Sequence, residues 1–251
     1  MIANTYPYVS VQTPWTERFL DYYKDPRIRL KTGPLIYSVT STKDKEEFRN
    51  SILPKGSNKK IVVHATTMKA RYGARLHIAE TLDEYLSSLT DIIHAVNKLE
   101  DVHFVIRPHP SNEFSDEDLY RLLPKCNSLS IANEGSFARI LSACDLLISY
   151  SSTCIEEAIQ NNIPVLLYDK WQRYNHFNVK ELKDPKHLRI QPAYYVTQSA
   201  ILMETINQIL KKGDINIFEE VNVREFKYPN EFRSNFDKFI SETFARKEAG
   251  V

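Results

Sequence analysis

The stretch CDLLISYSSTCIEEAIQNNIPVLLYD, residues 144–169, decides the fold class. It opens with the apolar run DLLISY (145–150) and closes with a second one, PVLLYD (164–169). Between the two runs, SSTCIEEAIQNN has the pattern of a helix that begins after hydroxyl-bearing residues. A strand, a helix and a second strand in such close succession predict a parallel β-α-β unit with a right-handed crossover.

The same alternation extends along most of the chain. KKIVVHA (59–65) and VHFVIR (102–107) predict buried strands, and residues 79–100 place leucine, isoleucine and valine at helical spacing. Further segments predict helices at SDEDLYRLLPK, SFARILSACD and TQSAILMETINQILKK, and a strand at NSLSIAN. Alternating strands and helices predict an α/β domain with a Rossmann-like parallel sheet and helices on both faces.

Four segments follow from this pattern. The Rossmann-like domain covers residues 59–212, and a polar, partly helical linker precedes it at 41–58. Residues 1–40 hold a strand, a short helix and a second strand-like run, which is too little for an independent core. We therefore predict that 1–40 are a remnant or crossover of another domain, and that 213–251 form a C-terminal helical extension.

The composition excludes several classes of protein. With 42% hydrophobic and 26% charged residues among 251, the chain has the make-up of an ordinary soluble globular protein. A formal net charge of +1 argues against a bulk electrostatic grip on nucleic acid or anionic lipid. The sequence shows no signal peptide, no run of about 18 apolar residues and no CxxC spacing, so we predict a cytoplasmic protein with reduced thiols.

The predicted strand at 102–107 ends in an unusual motif, RPHP. Pro108 and Pro110 restrict Arg107 and His109 to extended conformations, so little conformational entropy is left to lose on binding. Arginine offers a bidentate fork for phosphate, and histidine can donate to a phosphate oxygen. We expect Arg107 and His109 to hold a phosphate; the alternative is a structural turn with an exposed histidine.

The loop TTMKARYGAR (66–75) is a second candidate, because open α/β sheets bind ligands beyond the carboxyl ends of their strands. It offers Thr66, Thr67, Lys69 and Arg71 to a phosphate or to the reacting part of a donor. Neither GxGxxG nor a P-loop pattern is present, so a solvated basic loop is the alternative.

A third candidate is the junction between the strand at 145–150 and the helix that follows it. Ser151, Ser152 and Thr153 place hydroxyls and free N–H groups at the helix start, where an anion can bind. Glu157, just inside the helix, can accept hydrogen bonds from ribose hydroxyls. The alternative is N-capping by the serines, with glutamates that compensate the helix dipole.

The loop after the strand at 164–169 is aromatic. Trp171, Arg173, Tyr174 and His176 can stack on or cap a base or a sugar; alternatively, the loop packs against the terminal helices. The histidines of the chain lack metal-ligand spacing, so we predict no metal site. No GxSxG elbow is present, which disfavours a serine hydrolase.

RPHP together with the segment at 144–169 resembles the C-terminal, donor-binding half of GT-B glycosyltransferases. The likeness is to bacterial surface-polysaccharide enzymes: CDP-glycerol glycerophosphotransferases, capsule Kdo-transferases and polysialyltransferases. In those families an HP motif and an S-S/T motif contact the nucleotide and phosphates of the donor, and His109–Pro110 and Ser151–Thr153 match them. Glu157 matches the acidic residue that contacts ribose in many GT-B enzymes. Asn162 occupies a position where glycine is usual, so the turn at this position can differ from the turn in those enzymes.

This resemblance implies a capsule- or teichoic-acid-type transferase with a CMP-, CDP- or UDP-linked donor, no cofactor, and a glycan or polyol-phosphate acceptor. Arg107 and His109 are expected to stabilise charge on the departing phosphate. Residues 1–40 resemble the segment that leaves the N-terminal domain of such an enzyme. The acceptor site and the general base are therefore expected from an N-terminal domain or a partner chain. The implied location is the cytoplasm, with peripheral association at the inner face of the membrane left open.

Two other functions remain open. A UDP-N-acetylhexosamine 2-epimerase shares the GT-B fold, although the loop after 164–169 lacks the arginine- and glutamate-rich run that is associated with those enzymes. The other is a non-catalytic module that binds a nucleotide or a partner through a degenerate site, since one fold hosts many activities.

Overall fold

The computed structural model of the chain describes residues 6–37, 39–66, 80–109, 115–212 and 223–248. The chain divides into two compact units. One is made from both ends of the chain, Met1–Ser38 and Asn222–Val251, and the other from its middle, Val39–Val221.

The secondary structure alternates between strands and helices along most of the chain. The strands, in chain order, are β1 (Tyr8–Val11), β2 (Ile28–Lys31), β3 (Lys60–Ala65), β4 (Val102–Arg107), β5 (Leu129–Ile131), β6 (Leu146–Ile148), β7 (Val165–Tyr168) and β8 (Ala193–Val196). The α-helices are α1 (Pro14–Tyr22), α2 (Thr42–Ile52), α3 (Leu82–Val96), α4 (Asp116–Leu122), α5 (Phe137–Ser142), α6 (Cys154–Gln160), α7 (Leu202–Lys212) and α8 (Arg233–Glu248). Among the described residues, every helix is too short or too polar to cross a lipid bilayer.

Six parallel strands form the sheet of the middle unit, in the order β5-β4-β3-β6-β7-β8. The chain moves outward from β3 to β4 and β5, returns to the other side of β3 with β6, and then moves outward to β7 and β8. The order therefore reverses between β3 and β6, as it does in a Rossmann fold. The predicted Rossmann-like parallel sheet is confirmed.

Both faces of this sheet are covered, as the alternation along its strands shows. Val62 and Ile106 belong to the apolar cluster that also contains the buried residues of α3 and α7. Their neighbours Ile61 and Val105 are fully buried as well, although successive side chains of a strand point to opposite faces. Helices therefore cover the sheet on two sides, as the sequence predicts.

Strand β8 is a finding that the sequence pattern did not predict. The sequence predicts an aromatic-rich loop between β7 and the helix that follows, but residues 193–196 (AYYV) pair in parallel with β7. The strand has only 4 residues, too few to establish a strand period. Its partner is fixed by the sheet edge that β7 presents, which is a property of the assembled fold.

The unit made from the chain ends contains β1, α1, β2 and α8. β1 and β2 pair in parallel, and α1 connects them. Val11 and Leu20 pack with Tyr228 in a small core, and Val9 and Phe232 lie against it. This shared core joins the two ends of the chain.

The arrangement of units differs from the division predicted from the sequence. The segments 1–40 and 213–251 were expected to be a separate remnant and a separate extension, but both contribute to the unit of the chain ends. The stretch 41–58, expected to be a linker, contributes α2, which packs against α5 in the middle unit.

Candidate functional site

The carboxyl ends of β3, β4 and β6 meet where the strand order reverses. Open α/β sheets bind ligands in the crevice at this point. Thr66 directly follows β3, His109 lies just beyond β4, and Ser151 lies just beyond β6. One residue from each of the three predicted loops therefore lies at the same edge of the sheet.

Thr66 and His109 are brought together by hydrogen bonds. The Thr66 N–H donates to the carbonyl of Arg107 at 3.0 Å, and the His109 N–H donates to Thr66 Oγ1 at 3.2 Å. Thr66 and Pro108 are buried, whereas the His109 side chain is exposed. The main chain at His109 is thus held to Thr66, while its side chain is exposed.

Four of the predicted ligand-binding residues cannot be placed in this site. They are Thr67, Lys69, Arg71 and Pro110, which lie outside the described residues. Their contribution to a donor or phosphate site stays a prediction.

Arg107 has a different environment from the one that its predicted role suggests. Its guanidinium donates to the carbonyls of Ala132 at 2.7 Å, Glu134 at 3.2 Å and Gly135 at 3.0 Å. These carbonyls converge because the chain turns back after β5, with Gly135 in the left-handed region at φ +78°. In this structure Arg107 stabilises the turn at 132–135. Its contact with a phosphate stays a prediction.

The turn between β6 and α6 places its three hydroxyl residues in different environments. Ser151 is buried, Ser152 is half-buried and Thr153 is exposed. Ser152 Oγ accepts a hydrogen bond from the Cys154 N–H at 3.2 Å, while Thr153, the N-cap residue by position, makes no side-chain capping bond. A local hydrogen bond therefore accounts for the Ser152 hydroxyl, and anion binding by this turn stays a prediction.

Helix α6 ends in the left-handed turn for which glycine is the usual residue. Asn162 lies in the left-handed region at φ +60°, and the Ile163 N–H donates to the carbonyl of Ala158 at 2.9 Å. Asparagine tolerates this conformation better than most residues, so the helix closes in a glycine-like way without glycine. Glu157, the predicted ribose contact, is half-buried on the same helix.

An ion pair and a close polar contact connect the loop after β7 to two helices. Arg173 donates to the carboxylate of Glu84 on α3 at 3.0 and 2.5 Å. His176 Nε2 lies 3.0 Å from Glu156 Oε1 on α6, and both side chains are buried. The ring of Tyr174 meets His176 edge-on, with centroids 5.6 Å apart. The loop thus packs against α3 and α6, whereas the packing alternative named the terminal helices, and stacking on a base or a sugar stays a prediction.

Residues 31–189 match the sequence model of the LIC12162 family transferases. The chain belongs to this family. Its fold is similar to that of the wall teichoic acid polymerase TagF, with a TM-score of 0.56 at 14% identity over 96% of this chain and 58% of that chain. Sucrose-phosphate synthase from Thermosynechococcus elongatus gives a TM-score of 0.53 at 14% identity over 95% of this chain and 59% of that chain. No curated protein matches the sequence.

A third structure shares the fold of this LIC12162 family transferase. A protein of Listeria monocytogenes assigned as a UDP-N-acetylglucosamine 2-epimerase gives a TM-score of 0.50 at 15% identity over 88% of this chain and 54% of that chain. Identities this low speak for the fold alone, and the two transferase structures confirm the predicted GT-B-type fold. The chain spans less than two thirds of each of these proteins.

Glu80 lies at the same sheet edge. Sequence interpretation of this LIC12162 family transferase did not identify it as a site residue. It directly precedes a capping box in which Thr81 and Glu84 satisfy each other's backbone N–H groups at the start of α3. Glu80 is only 5% exposed, and with Tyr150 and Ser151 it lines a cavity of about 20 Å³. Burial raises the pKa of Glu80 to about 7, although a hydrogen bond with Tyr150 acts in the opposite direction. An acidic residue just before a helix usually faces solvent, so no local pattern announces its burial.

Proposed function

We propose that this chain is the donor-binding half of a GT-B-type transferase that moves a sugar or a polyol-phosphate from a nucleotide onto an acceptor in bacterial surface-polysaccharide synthesis. The observation that carries the proposal is the meeting of Thr66, His109 and the Ser151–Thr153 turn at the point where the strand order reverses. Membership of a transferase family supports the reaction type. The likeness to TagF supports the fold in which it would take place.

His109 is the residue best placed to contact a donor phosphate. Its main chain is fixed by the 3.2 Å hydrogen bond to Thr66 and by the buried Pro108, while its side chain is exposed. Binding through a side chain on a fixed backbone costs little ordering entropy. The imidazole can donate a hydrogen bond to a phosphate oxygen and so stabilise the negative charge that develops as the nucleotide leaves.

The proposed reaction is a displacement at the donor carbon or phosphorus. A hydroxyl oxygen of the acceptor forms the new bond, and the bond to the nucleotide phosphate breaks with its electron pair remaining on the nucleotide. The hydroxyl proton passes to a general base. We assign that base and the acceptor site to an N-terminal domain or a partner chain, and we place the reaction in the cytoplasm, at the inner face of the membrane, without a metal or cofactor.

Calorimetric titration with CMP, CDP, CDP-glycerol, UDP and UDP-N-acetylglucosamine tests the donor site. We expect one base to bind, and we expect His109→Ala to weaken that nucleotide at least tenfold while the urea unfolding curve of the free protein is unchanged. The matched control is His94→Ala, because His94 is also exposed but lies near the end of α3, away from the carboxyl ends of the strands. Equal affinity in wild type and His109→Ala would refute the role of His109.

The titration also separates the proposed function from its alternatives. If none of the five nucleotides binds, the non-catalytic module becomes the better interpretation. If UDP-N-acetylglucosamine binds, analysis of the products after incubation distinguishes transfer from epimerisation, because a 2-epimerase converts this substrate into its C2 epimer without an acceptor.

A further inference from the structure

The cavity that contains Glu80 opens at the reversal point of the sheet, next to the proposed phosphate position. Ala65 at the end of β3 and Ser151 after β6 both line it. Ser151 also belongs to the hydroxyl turn that leads into α6, and Ser152 directly follows it in sequence. With a volume of about 20 Å³, the cavity has room for about one water molecule or one hydroxyl group.

The groups that line this cavity suit a hydroxyl group. The carboxyl of Glu80 and the phenol of Tyr150 are hydrogen-bonded to each other. A carboxylate accepts hydrogen bonds, a protonated carboxyl also donates one, and a phenol does both. A ligand hydroxyl can therefore donate to Glu80, and it can accept from Tyr150 when the phenol proton turns away from the carboxyl, in the same way as a water molecule.

The fold retains Glu80 in an environment that opposes its ionisation. Burial is the main cause, and the negative charges of Asp169 and Glu84 add to it, while the positive charge of Arg173 acts in the opposite direction. Arg173 is itself paired with Glu84 at 2.5 Å. Ionising a carboxyl that is buried in this way costs stability, and carboxyls with a raised pKa concentrate at functional sites.

The cavity and the predicted ribose contact lie on different sides of the sheet. The chain crosses from β3 to β4 in one direction and from β6 to β7 in the other, so right-handed crossovers place α3 and α6 on opposite faces. In agreement, the buried residues Ile155 and Ile159 of α6 are absent from the apolar cluster that holds α3 and α7. A donor whose phosphates lie at the reversal point and whose nucleoside lies toward Glu157 therefore extends its other end toward Glu80.

We propose that Glu80 and Tyr150 form a subsite for a hydroxyl of the group that the enzyme transfers, a sugar or a polyol. This inference rests on the proposed function, because it places the nucleotide phosphates beside His109. It assigns donor specificity to the α3 side of the sheet and nucleotide recognition to the α6 side.

The test compares a complete donor with its nucleotide alone in wild type, Glu80→Gln and Tyr150→Phe. The probe pairs are CDP-glycerol with CDP and UDP-N-acetylglucosamine with UDP, titrated calorimetrically at pH 8. For the pair that binds, we expect Glu80→Gln to weaken the complete donor about tenfold, or about 1.4 kcal/mol, and Tyr150→Phe to weaken it by a smaller factor. Both variants should bind the nucleotide alone within twofold of wild type. Asp83→Asn, at an exposed position of α3, is the matched control.

The titrations can give three kinds of result, and each one supports or overturns the subsite. Selective loss of the complete donor supports the subsite. Unchanged affinity for both probes, or an equal loss for both, overturns it while leaving the nucleotide site in place. Absence of nucleotide binding in the wild type overturns the proposed function, and the subsite with it.

Discussion

Replacing Glu80 by glutamine should make the protein more stable, and increasingly so as the pH rises. In the folded protein the pKa of Glu80 is raised from its ordinary value of 4.5 to about 7, mainly by burial. A carboxyl with a raised pKa favours folding fully below its unfolded pKa, and this contribution is lost as the pH rises through the folded pKa. Between these values the unfolded chain releases a proton that the folded protein retains.

The size of the effect follows from the two pKa values. Each pKa unit corresponds to about 1.4 kcal/mol, so the full penalty at high pH is about 3 kcal/mol. At pH 5 the penalty is about 1 kcal/mol, and by pH 8 it is almost complete. Among the described residues, the titratable groups around Glu80 are Tyr150, Arg173, Asp169 and Glu84, with His64, Tyr85 and Tyr168 on the cavity wall.

Urea unfolding of wild type and Glu80→Gln at pH 5 and pH 8 measures this penalty. Glutamine cannot ionise, so the stability difference between variant and wild type should shift by about 2 kcal/mol in favour of the variant from pH 5 to pH 8. Any constant effect of the amide cancels in that comparison. Asp83→Asn should show no such shift, because Asp83 is exposed. A difference for Glu80→Gln that stays the same at both pH values would refute the buried carboxyl.

Two further predictions concern the fold. Burial and the positive charge of Lys59 lower the pKa of His103 to about 4. The contribution of the neutral imidazole to stability is therefore complete above pH 6.5 and lost as the pH falls toward 4. In urea unfolding, the free energy of unfolding of His103→Gln should fall by about 2 kcal/mol less than that of wild type between pH 7 and pH 4.5. At Asn162, with φ +60°, replacement by glycine should change the free energy of unfolding by less than about 0.5 kcal/mol, whereas valine should lower it by about 1–2 kcal/mol. An equal effect of glycine and valine would contradict the left-handed turn.

The strands and helices that the sequence predicts are those whose pattern is local. β3, β4, β6 and β7 are apolar runs bounded by polar residues, and α3 shows helical spacing over its whole length. The helix predicted at SDEDLYRLLPK begins after Ser115, whose side chain accepts from the Asp118 N–H as part of a capping box. In such elements the residues that decide the conformation are neighbours in sequence.

The features that escaped prediction depend on partners far away in the chain. Nothing in RPHP indicates that the Arg107 guanidinium would fasten the turn at 132–135. Glu80 lies in a buried environment that includes Tyr150, just after β6, and Arg173, from the loop after β7. The motifs thus predicted the sheet edge at which the candidate site lies, while the identity of the charged residues within reach of one another required the folded chain.

The shared core of the two chain ends has a consequence for folding during synthesis. Val11 and Leu20 leave the ribosome long before their core partner Tyr228, which lies far along the chain. The middle unit needs only residues up to Val221 and can form its sheet before then. β1 and β2 therefore have an exposed apolar surface until Tyr228 is translated, a period in which they can bind chaperones or aggregate.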